Sequence, residues 1–78
     1  MTHEEYAQYR ETAILDALDA IKKNGFQCRL CNKQNGHIQV ISRLGRIINF
    51  YPTTGTIAGY DWDQFSGIEC LLRIAEEG

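Results

Sequence analysis

Nothing in this chain of 78 residues assembles the usual substitutes for a large core. Three cysteines cannot all pair, so no disulfide framework is expected. The opening Met1-Thr2-His3-Glu4-Glu5 is polar and acidic, where a secretory leader needs basic and then apolar residues. No apolar run approaches the roughly 18 residues of a membrane span. No Gly-x-Ser-x-Gly, phosphate-binding glycine loop or His-Glu-x-x-His occurs, and no catalytic residue is expected. These absences lead to the expectation of a reduced, cytoplasmic, non-enzymatic protein without cofactor and without a membrane partner. Acid is missing too, but only locally: residues 20–60 contain no Asp or Glu.

The composition that remains is globular, at 44% apolar and 23% charged residues. Length allows one domain, 1–78, with a thin core. Net charge is −2, but it is segregated: −4 over residues 1–19, +6 over 20–60 and −4 over 61–78.

Thr2 with Glu5 forms a capping-box signature, so a helix is expected from His3. Tyr6, Arg10, Ala13, Ile14, Ala17, Leu18 and Ile21 carry its stripe to Lys23, and Asn24-Gly25 ends it. Alternation then predicts strands over 26–31 and 37–42, joined by the loop Asn32-Lys33-Gln34-Asn35-Gly36. After the turn Arg43-Leu44-Gly45, a third strand is expected over 46–51, stopped by Pro52-Thr53-Thr54-Gly55. Residues 56–58 allow a short edge strand. Ser66 with Glu69 reads as a second capping box before a helix lined by Ile68, Leu71, Leu72 and Ala75. The expected fold is α+β: a two-layer sandwich of order α-β-β-β-(β)-α, with both helices on one face of an antiparallel sheet.

If Phe26, Cys28, Leu30, Ile38, Val40, Ile48 and Phe50 face the helices, the other face carries Gln27, Arg29, His37, Gln39, Ile41, Ile47, Asn49 and Tyr51. Apolar residues clustered on an open face point to a partner. The alternative is that segment 56–64 folds back and covers them. Arg29, Lys33, Arg43 and Arg46 would make that face basic, with Ile41 and Ile47 as anchors and Tyr51 as a stacking ring. The leading expectation is a protein partner docked there; nucleic acid and a homodimer are the alternatives.

Cys28-Arg29-Leu30-Cys31 followed by His37 resembles the retroviral-type zinc knuckle, Cys-x2-Cys-x4-His-x4-Cys. The gap to His37 is five residues and no fourth cysteine follows, so a site would need Cys70 or His3 by tertiary contact. A redox pair is disfavoured because the motif lies in an extended stretch, away from a helix N-terminus. Asp61 and Asp63 around Trp62 read as an acidic metal-like pair or, more simply, as partners of a helix dipole. The helix–strand order resembles that of double-stranded RNA-binding domains, but their lysine cluster on the last helix is reduced here to Arg73.

Gly36-His37-Ile38-Gln39-Val40, the run Gly45 to Thr56 with its Tyr51-Pro52-Thr53-Thr54-Gly55 turn, and Gly67-Ile68-Glu69 together resemble small accessory proteins of bacteriophages and prophages. That resemblance covers roughly residues 36–72 and implies a protein acting in the cytoplasm of a bacterial host. It further implies action by binding, for instance as an inhibitor of a host or defence protein.

Overall fold

A computed structural model describes residues 2–78; the side chain of His3, one of the two residues expected to complete a zinc set, lies outside the described residues. Helix α1 runs His3–Lys23 and is followed by strands β1 (Gln27–Asn32), β2 (His37–Ile41), β3 (Ile47–Tyr51) and β4 (Thr56–Ile57), then helix α2 (Gly67–Glu77). The strands form one antiparallel sheet in the order β1-β2-β3-β4. The α+β architecture is as the sequence predicts. No helix among the described residues is long and apolar enough to cross a membrane.

Local chemistry explains the boundaries. At the start of α1 the Thr2 hydroxyl accepts from the Glu5 amide, and the Glu5 carboxylate accepts from the Thr2 amide, so both halves of the box form. Lys22 and Lys23 sit at the negative end of its dipole. The second expected box does not form. Ser66 is the N-cap of α2 but makes no side-chain cap bond. It is held extended by a bridge to Thr56, and the next amide, of Gly67, donates to the Gly55 carbonyl. That bond satisfies the first helical amide, a donor the box would not have used.

Gly55 shows why that junction demands glycine. Its φ is +78°, and a Cβ there would stand 3.1 Å from the Gly67 nitrogen. Upstream, the Gly55 and Thr54 amides both donate to the Tyr51 carbonyl, closing the turn after Pro52. This turn needs no ligand to explain it.

The core is a single cluster between sheet and helices. Ile14, Ala17 and Ile21 come from α1, Phe26 from its exit, Ile38, Val40, Ile48, Phe50 and Ile57 from the sheet, and Leu71 and Ala75 from α2. The front of the α1 stripe departs from expectation, because Tyr6 remains 48% exposed. At 21 residues α1 is about 31 Å long, against roughly 17–20 Å for the neighbouring strands, so its first turns extend past the sheet. The β1–β2 hairpin tip reaches the helix at Ile14: a Cβ on Gly36 would lie 3.3 Å from its Cγ1.

At the opposite end, the β2–β3 turn closes on α2. Buried Ser42 accepts from the Arg46 amide through its hydroxyl, and the Arg43 amide donates to the Ala75 carbonyl. Helix α2 is therefore fastened to the sheet at both ends.

Candidate functional site

Cross-strand register arranges the outer sheet face in rows. Gln27 pairs with Ile41 and Ile41 with Ile47; Arg29 pairs with Gln39 and Gln39 with Asn49. A third pair closes the face toward the hairpin tip, where His37 and Tyr51 stack with centroids 5.0 Å apart and planes 15° from parallel. All eight residues assigned to this face by alternation lie on it, each exposed or half-buried.

A shallow groove of about 330 Å³ crosses the first two rows, lined by Gln27, Cys28, Arg29, Gln39, Ile41 and Ile47. Every wall comes from β1, β2 or β3, so segment 56–64 does not cover this part of the face. Ile47 is 59% exposed beside half-buried Ile41. Arg29 donates to the Gln39 side-chain oxygen at 3.2 Å, which sets the guanidinium along the groove. The His37 Nε2 lies 2.7 Å from the Asn49 Oδ1. With the Asn49 amide oriented this way its oxygen accepts and Nε2 is assigned as the donor. His37 is thus built into the face by a stack and a hydrogen bond.

The expected gathering of cations on this face is corrected. Arg29 alone lies in the groove. Arg43 turns to the helix side, where its Nε and Nη2 lie 3.1 and 3.0 Å from the Glu76 Oε2 and its guanidinium sits 5.1 Å above the Phe26 ring. The reason is electrostatic: the last turn of α2 carries Glu76 and Glu77 and no cation, at the end where the dipole already disfavours acid. Lys33 borders a different cleft, between α1 and β1, beside Glu11, Leu15 and Leu30. Arg46 is exposed at the turn preceding β3, outside the groove lining. Alternation assigns strand residues to their faces; it has no authority over cations in turns. The Tyr51 ring belongs to the far row, away from Ile41 and Ile47.

The cysteine–histidine motif is not assembled. Cys28 points inward, its thiol directed to the Leu18 carbonyl at 4.0 Å. Burial pushes that thiol pKa upward, with Lys22 opposing the shift. Cys31 is exposed at a β-bulge, where register slips between Leu30 and Asn32. Among the described residues no three His, Cys, Asp or Glu side chains are grouped to hold a metal ion. Asp61 likewise serves its own turn, where its Oδ1 accepts from the Asp63 amide and its carbonyl from the Gln64 and Phe65 amides.

That turn exposes a feature absent from the sequence-based expectations. Tyr60, Trp62 and Phe65 are all exposed within six residues. Tyr60 and Phe65 meet edge to face at 5.6 Å, and the Trp62 indole donates to the Thr54 carbonyl at 2.9 Å. Three aromatics in a non-alternating stretch after the last strand are the signal that could have found it. The chain matches no protein-family model, no curated protein and no solved structure, so its resemblance to phage accessory proteins rests on the sequence pattern alone.

Proposed function

We propose that this chain is a non-enzymatic binding module that docks the bare face of its sheet on a partner protein. The observation that carries the reading is the Ile41–Ile47 pair, left open in a groove rimmed by Gln27, Arg29 and Gln39. An apolar centre with a polar rim and one arginine is the anatomy of a small protein interface. Following the phage resemblance, the partner is a host protein of a bacterial cytoplasm, and docking there inhibits it.

Nucleic acid is the weaker reading for the same face. A single guanidinium offers one phosphate contact, where polyanion binders use several. Arg43 is engaged with Glu76 and cannot add to it without giving up that ion pair.

The test is affinity purification of the tagged chain from bacterial lysate, with and without nuclease, beside the variants Ile47→Glu and Arg29→Glu. A protein partner is captured in both arms, and each variant reduces its recovery at least about tenfold. Because both side chains are exposed, folding stability changes by no more than about 1 kcal/mol. Equal recovery by the variants, or capture that disappears with nuclease, refutes the reading.

A further inference from the structure

The overhang of α1 creates a second concave surface at the tip of the sheet. Tyr6 and Arg10 come from the helix, Gln34 and Asn35 from the β1–β2 hairpin, and Tyr51 and Thr53 from the exit of β3. The cleft encloses about 410 Å³, the scale of a small-molecule site. No carboxylate lines it, and Arg10 is its one charged group. Among the described residues Arg10 makes no ion pair; its guanidinium lies 5.9 Å from the Tyr6 ring centre. Asn35 uses its Oδ1 to accept from the His37 amide, which leaves its NH2 as a donor. The Tyr51 ring is already fixed against His37.

We propose that this cleft binds a mononucleotide. A guanidinium is suited to a phosphate by charge and by its fork of donors. A flat base has the half-exposed Tyr6 ring, beside Arg10, to lie against. The amide and hydroxyl groups of Gln34, Asn35 and Thr53 in its walls match a ribose and the remaining phosphate oxygens. The site is open to solvent, so affinity is modest, with Kd between about 0.1 and 1 mM.

The chain supplies its own reporter. Its one tryptophan, Trp62, is bonded through the indole to the carbonyl of Thr54, another residue of the cleft wall. Titration of the full chain with AMP is followed by Trp62 emission and by amide chemical shifts. The expected result is a saturable change, with shifts concentrated at Arg10, Asn35, Tyr51 and Thr53. Arg10→Gln raises Kd about tenfold or more, while Ile47→Glu, on the separate groove, leaves it unchanged. Adenosine alone and inorganic phosphate alone each bind at least about tenfold more weakly than AMP. The proposal is overturned if no saturation occurs below about 5 mM, if shifts centre on Ile41 and Ile47, if Arg10→Gln binds as wild type, or if either half of the ligand binds as well as the whole.

Discussion

Arg43 shows how one side chain can be chemically plain in the sequence and structurally committed in the fold. In the sequence it belongs with Arg29 and Arg46, because all three are cations on a hairpin. Its backbone amide holds Ala75, its guanidinium holds Glu76, and its planar group lies over Phe26. Both partners of the ion pair are half exposed, so the pair itself is worth less than about 1 kcal/mol. Reversing the charge adds repulsion from Glu76 and uncovers Phe26. Arg43→Glu is expected to lower stability by about 1–2 kcal/mol in urea denaturation, whereas Arg29→Glu stays near wild type. The cysteines separate in the same way. Burial raises the pKa of the Cys28 thiol, while Cys31 is exposed. Iodoacetamide mapping by mass spectrometry should therefore find Cys31 modified first. Because the folded pKa of Cys28 exceeds the unfolded one, its contribution to stability is complete below the ordinary thiol pKa and is lost as pH rises through the folded value.

Among the elements, α1 and the hairpins are the most legible. Thr2, Glu5, Lys22, Lys23 and Gly25 are local signals, and local bonds answer them. Thr2→Ala should cost about 0.5–2 kcal/mol, measured by thermal or chemical denaturation. Gly36→Ala should cost about 1–2 kcal/mol: the residue sits at φ +73°, and the new methyl must also move Ile14 aside. Entry into α2 differs from expectation because its decisive bond is not local. Ser66 and Glu69 have the spacing of a box, but Ser66 is bridged to Thr56 and makes no side-chain cap bond, while Gly55 takes the Gly67 amide. Spacing along a chain cannot show which carbonyl a distant turn will present. The same limit hides the direction of Arg43 and the local role of Asp61, while the two faces of the strands are readable residue by residue from alternation alone.

At the scale of the whole molecule, charge segregation along the sequence does not become charge segregation on the surface. Arg29, Lys33 and Arg43 belong to the sheet face, the α1–β1 cleft and the α2 end respectively. Apolar exposure is the more persistent surface signal, at Ile47 on the sheet and at Tyr60, Trp62 and Phe65 in the loop before α2. With one core cluster joining every element, unfolding is expected to be two-state. Helical circular dichroism and Trp62 emission should then give coincident urea transitions; separate midpoints would show a subdomain. The double fastening of α2 also bears on how the domain is made. Its anchors, Gly55 with Gly67 and Arg43 with Ala75, join the turns flanking β3 and β4 to a helix made after them. On a ribosome α1 and the meander emerge first, and Ile57 gains the cover of α2 only after Leu71 and Ala75 have followed. The two helices therefore cover the sheet in succession, α1 before α2.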